Sequence, residues 1–137
     1  MKIKFFAIFF LLFAFSVIMK AQTSTYPCKD TIIYKSVDIF PFFKGGYNQL
    51  LKFIADNLNP EIDSTFSTTK TKVVIQVVIN CEGKVCTPKV IQSAGSVLDD
   101  EALRVVSLLP DFATGLLNGK AVNVLFNIPI QYEFKKN

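Results

Sequence analysis

From Val122 to Phe134 the chain alternates without a break. Val122, Val124, Phe126, Ile128, Ile130, Tyr132 and Phe134 fall on one side, and Asn123, Leu125, Asn127, Pro129, Gln131 and Glu133 on the other. Successive side chains of a β-strand point to opposite faces, so this period of two predicts one long, half-buried strand. Its length is about twice that of a usual strand. Pro129 has no N–H to give a ladder on one side, which predicts a strand at a sheet edge. An exposed edge of this length is a template for pairing, and folds normally cover it unless a partner is meant to bind there.

The residues before it supply a layer to cover one face. Leu98, Ala102, Val105, Val106 and Leu109 recur with a 3.6-residue period, and Pro110 ends the pattern, which predicts a helix from Ser96. Ser96 with Asp99 resembles a capping box, and Asp99, Asp100 and Glu101 suit the positive end of the helix dipole. A second helix is predicted over Tyr47–Leu58, with Tyr47, Leu50, Leu51, Ile54 and Leu58 on its apolar side, and Pro60 bars its continuation. Upstream of it, Ile39, Phe40, Phe42 and Phe43 are expected to cover one edge of the core. Glu61–Thr71 reads as a polar loop.

Between the helices, Lys72–Asn80 alternates less cleanly, with Val73, Ile75, Val77 and Ile79 on one side and Val74, Gln76 and Val78 on the other, so apolar residues fall on both faces. That predicts a central strand covered at least partly on both faces. Asn80-Cys81-Glu82-Gly83 is a tight-turn signal, and Val85–Gln92 returns as its partner, with Pro88 marking the opposite edge. A three-residue loop with a glycine bulge sets Lys84 opposite Asn80 and Cys86 opposite Val78. The order is helix, strand, strand, helix, strand. This gives a two-layer α+β domain with a three-stranded antiparallel sheet and Lys72–Asn80 in its middle.

The first residues belong to another class. Lys2 and Lys4 precede a run from Phe5 to Met19 that is apolar apart from Ser16, and small Ala21 follows. The run is short for the roughly 30 Å of a bilayer core, which favours a signal peptide, with an uncleaved signal anchor as the alternative. The expected division is 1–21 signal peptide or anchor, 22–38 short polar tether, and 39–137 folded domain, in the periplasm or held at the inner membrane. Three of the fifteen basic residues and none of the eleven acidic ones lie in 1–21, so the formal +4 falls to +1 beyond it. No basic patch remains to neutralise phosphates, so nucleic-acid binding is not expected. Cys28, Cys81 and Cys86 in an exported chain allow one disulfide, with the pairing open.

Without histidine the chain has no Ser-His-Asp or Cys-His nucleophile system, and it lacks most zinc-ligand sets. Gly45-Gly46 lacks the spacing of a phosphate loop, and consecutive acids on a helix point in different directions. No enzyme, metal or cofactor is expected.

These fragments together resemble the C-terminal domain of TonB, in the form common among short Bacteroidetes-type members. The likeness runs from Phe40-Pro41 and Gly45-Gly46 through the Asn80–Val85 turn and Leu98–Val106. It continues through Leu109-Pro110-Asp111-Phe112, Gly115 and Asn118-Gly119-Lys120-Ala121-Val122 to Ile128-Pro129-Ile130 and Phe134. The resemblance implies an energy-transducer family linked to transmembrane transport. Its members grip the N-terminal peptide of an outer-membrane transporter as an added strand. Carried onto this chain, the partner-binding residues are Val122, Asn123, Val124, Leu125, Asn127, Gln131 and Tyr132, mainly through their backbones. Asn59-Pro60 stands where Tyr-Pro is frequent in the family, and Phe112 where Trp is. The Pro-rich spacer and the histidine of a full transducer are absent from this sequence. The alternative expectation is a small secreted structural domain that self-associates, as a homodimer, through the same edge.

Overall fold

A computed structural model of the chain describes residues 31–64 and 70–134. The leader 1–21, Cys28 and most of the 22–38 tether lie outside the described residues. In chain order the elements are β1 (Ile33–Tyr34), helix α1 (Tyr47–Asn57), a 3-10 turn (Pro60–Ser64), β2 (Lys70–Ile79), β3 (Val85–Gln92), helix α2 (Ser96–Ser107), β4 (Gly115–Leu117) and β5 (Lys120–Glu133). The fold is α+β, with two helices and a curled mixed sheet of five strands ordered β1-β5-β2-β3, β4 pairing with β5. The three antiparallel strands read from periodicity are present with β2 between β5 and β3. Two short strands must be added, and β1 runs parallel to β5. Segments of two and three residues are too short to carry a period, although Asn118-Gly119 is a hairpin signal at the β4–β5 turn.

Each long element forms for a local reason. Asn118 (φ 52°) and Gly119 (φ 74°) make the two-residue turn that folds β4 back onto β5, a turn that requires left-handed backbone at both positions. At the other hairpin the Asn80 side chain accepts the Glu82 and Lys84 N–H groups, and Cys86 faces Val78 as the sequence predicts. Helix α2 begins at Ser96, but Gly95 occupies the cap and no side chain caps it. Asp99 instead accepts the Ala94 N–H at 2.9 Å and the Ser93 hydroxyl, so it ties down the incoming loop rather than completing a capping box.

The core lies on one face of the sheet. Val73, Ile75, Val77 and Ile79 of β2 and Ile128 and Ile130 of β5 are fully buried against Leu98, Ala102, Val105 and Val106 of α2 and Leu50 and Ile54 of α1. On the other face Val74 and Val78 are only half-buried, since no layer covers that side among the described residues. The two-sided burial expected of β2 is therefore corrected to one side. The Ile39–Phe43 segment is corrected as well: Phe43 is buried, but Ile39, Phe40 and Phe42 are about half exposed. Main-chain bonds with Leu116 and Ala113 draw the segment along the sheet rather than over the core.

The two helices are joined by a charged clamp. Glu101 is buried, accepts the Asn59 N–H at 2.7 Å, and receives both Nε and Nη2 of Arg104, whose Nη2 also donates to the Asn57 carbonyl. The clamp closes the end of α1 onto α2. The Arg104 hydrogen bond holds the Glu101 carboxyl below its ordinary value, against burial, which works the other way. A depressed acid stabilises the fold fully above its unfolded value near 4.5 and loses that contribution as pH falls through the folded value. Glu101→Gln is therefore expected to lower Tm at pH 7 and flatten its decline below about pH 5, measured by thermal melts across pH.

Tyr132 is buried at the far end of β5, and its hydroxyl donates to the Leu98 carbonyl at 2.8 Å. Burial, with help from the Glu101 and Asp99 charges, pushes the phenol well above its ordinary value and keeps it a donor. Tyr132→Phe is expected to cost about 1–2 kcal/mol, a fall in Tm of roughly 5–10 °C, because a buried carbonyl loses its partner.

Candidate functional site

The sheet has two edges of unlike construction. One is β3. The other is β5, which is an edge only beyond the part that β1 pairs with, a correction to the expectation of an edge along its whole length. The β3 edge is broken: Thr87 holds φ 46°, rare for a β-branched residue, Pro88 follows it, and the β2–β3 register shifts twice. Bulges and prolines of this kind protect an edge from pairing. Strand β5 matches β2 residue for residue from Lys70↔Glu133 to Ile79↔Val124 with no shift. Its second edge is straight.

Which main-chain groups line that second edge follows from the register. The Asn80 N–H bonds the Lys84 carbonyl on the β3 side. Main-chain groups alternate within the sheet plane, so odd-numbered β2 residues turn theirs toward β5, where even-numbered residues face them. The odd-numbered residues of β5 consequently direct N–H and C=O away from β2. Pro129 is one of them, which explains how the ladder passes Val74↔Pro129 undisturbed.

The arm takes the first part of this edge. Ile33 and Tyr34 pair with Asn123 and Val124, and the slanted bonds of a parallel pair claim the edge through Leu125. Asn123 reinforces the arm: its Oδ1 accepts the Cys81 N–H at 3.1 Å and its Nδ2 donates to the Ile32 carbonyl at 3.4 Å. Asp38 accepts the Asn118 N–H at 2.8 Å and pins the arm's far side. Among the described residues, no strand pairs with the outer edge from Asn127 to Glu133.

The residues carried over from the resemblance are thus divided. Val122 pairs with Gly115, and Asn123, Val124 and Leu125 lie under β1, so these four are used within the fold. Tyr132 turns its main chain to β2 and its ring into the core. Asn127 and Gln131 lie on the free edge with exposed side chains, and Asn127 is 3.4 Å from the Gln76 amide. The Pro129 carbonyl and the Glu133 main chain lie on the same edge, and Glu133 falls one residue beyond the segment carried over; counting outward from Pro129 in steps of two reaches it. Glu133 also pairs with Lys70 at 3.2 Å.

Cys81 is disulfide-bonded and Cys86 is a free thiol, so the β2–β3 hairpin is not bridged within itself, and Cys28 lies outside the described residues. Among the described residues no group of three acidic or cysteine side chains is placed to hold a metal ion, and no helix is long and apolar enough to cross a membrane. No curated protein and no solved structure matches the chain. Residues 68–134, which span β2 to the end of β5, match the family described as the Gram-negative bacterial TonB protein C-terminal, and this part of the chain is a domain of that family.

Proposed function

We propose that this chain is a cell-envelope peptide-binding module that adds an extended N-terminal segment of an outer-membrane transporter to the outer edge of β5, in TonB-dependent transmembrane transport. The observation that carries the reading is the straight edge from Asn127 to Glu133. There the N–H groups of Asn127, Gln131 and Glu133 and the carbonyls of Asn127, Pro129, Gln131 and Glu133 face away from β2. Such a row gives affinity through main-chain bonds and selectivity through flanking side chains. The family match supports it, because TonB-type domains engage outer-membrane transporters. The broken β3 edge supports it too, since the fold protects one side of the sheet and not the other. In this reading residues 1–21 deliver the domain to the periplasm or hold it at the inner membrane, and 22–38 tether it.

The test is amide exchange on the ¹⁵N-labelled protein with synthetic peptides copying transporter N-terminal segments. Binding is expected to slow exchange at Asn127, Gln131 and Glu133 and to leave β3 unchanged. If those amides ignore the peptides but become protected as protein concentration rises, with a dimer in sedimentation, the edge serves self-association and the transporter reading is lost.

A further inference from the structure

A strand added to the β5 edge must turn every second side chain toward the face that carries the helices. Helix α1 meets β5 on that face at two places. Through Phe53 it packs on Phe43 (6.1 Å between ring centres), which packs edge-on against Phe112 (5.4 Å), and Phe112 against Phe126 of β5 (5.8 Å). At the helix end, Ala55, Leu58, Pro60 and Ile62, with the polar Asn59, line a recess of about 190 Å³ together with Tyr132 and Phe134. Among the described residues no β2 side chain lines this recess, whereas Tyr132, Glu133 and Phe134 of the β5 end do.

The flank of α1 beside it is apolar and uncovered. Tyr47, Leu51, Ala55 and Leu58 are spaced by four, four and three, which sets them in one stripe. Tyr47 is 59 % and Leu51 38 % exposed, while Leu50 and Ile54 on the next stripe carry the packing onto the core. Charge is nearly absent here. Among the described residues Glu133 is the charged one at the recess and is engaged by Lys70, and Lys52 and Asp56 pair with each other away from the stripe. The arm is not the occupant: after Tyr34 it leaves the edge, and Ile39 and Phe42 bond Leu116 and Ala113 at the opposite end of β5.

We infer that the partner's strand carries uncharged apolar side chains at alternate positions, seated between the Asn127–Glu133 edge and the Tyr47–Leu51–Ala55 flank of α1, one of them in the recess at Tyr132 and Phe134. This rests on the strand-pairing reading above and adds the chemistry of the partner. The probes are two extended peptides of about seven residues, one alternating valine with threonine and one with serine in place of valine. The protein is tested as the native sequence and as Ala55→Glu and Leu51→Glu, both at exposed helical positions.

The valine peptide is expected to slow exchange at Asn127 and Gln131, to bind about tenfold more tightly than the serine peptide, and to lose that advantage in either variant. If both peptides slow exchange equally and neither variant matters, the groove assignment is overturned and strand pairing stands. If transporter-copied peptides slow exchange and the valine peptide does not, the groove assignment again fails alone. If no peptide of any kind slows exchange at these amides, the pairing reading itself is lost, and this inference with it.

Discussion

Asn127→Pro combined with Gln131→Pro is expected to weaken the binding of an extended peptide by about 10- to 100-fold and to leave the fold standing. Each substitution deletes one N–H on the outer edge of β5. A main-chain hydrogen bond contributes about 0.5–1.5 kcal/mol net, and each deletion also leaves a partner carbonyl unmatched. The β2 ladder is spared, because the nitrogens of both residues face away from it, as that of Pro129 already does. Residues preceding a proline prefer extended backbone, which Phe126 and Ile130 already have. Ile130→Pro is the control. Its nitrogen faces β2 and its side chain is fully buried, so it is expected to unfold the domain. Titration calorimetry with a transporter-copied peptide and a thermal melt of each variant give the two readouts. Full affinity in a folded double variant would remove the β5 edge as the site.

Gly83→Ala is expected to cost about 4 kcal/mol and to lower Tm by roughly 15–30 °C. Two penalties coincide at this turn. Gly83 holds φ +85°, which L-residues adopt only with strain, and an added Cβ would lie 2.0 Å from the Phe112 carbonyl oxygen. The neighbour is backbone and cannot swing aside. Nor can the segments part cheaply, since Phe112 donates its N–H to the Gly83 carbonyl at 2.7 Å while its ring is buried against Phe43 and Phe126. Gly119→Ala isolates the first penalty. Its φ is +74° with nothing within 4 Å, so about 1–2 kcal/mol is expected there. Against a total stability of order 5–15 kcal/mol, only the Gly83 change threatens folding at 37 °C. Equal melting temperatures for the two variants would mean that the Gly83–Phe112 contact is not what matters.

The clamp at Glu101 illustrates what a local pattern misses. Read along the helix, Glu101 is one of three acids suited to a dipole. In the fold it is buried because Asn59, far away in sequence, brings an N–H to it and Arg104 closes over it. Tyr47 and Leu51 show the converse. Their helical spacing marks them as core-facing, yet they stay exposed, because Leu50 and Ile54 on the next stripe take the packing onto the core.

Local chemistry therefore settled the long elements: both helices, the β2–β3 hairpin with Cys86 against Val78, the length of β5 and the placing of β2 in the middle of the sheet. Tertiary structure alone decided which part of β5 is open. Side chains alternate across a sheet and leave a trace in composition, whereas main-chain groups alternate within its plane and are the same for every residue but proline. Pro129 marks which residues turn outward, but no residue pattern records whether a neighbour stands beside them. The two-residue strand at Ile33–Tyr34, with no pattern of its own, occupies the edge through Leu125 and moves the site to Asn127–Glu133.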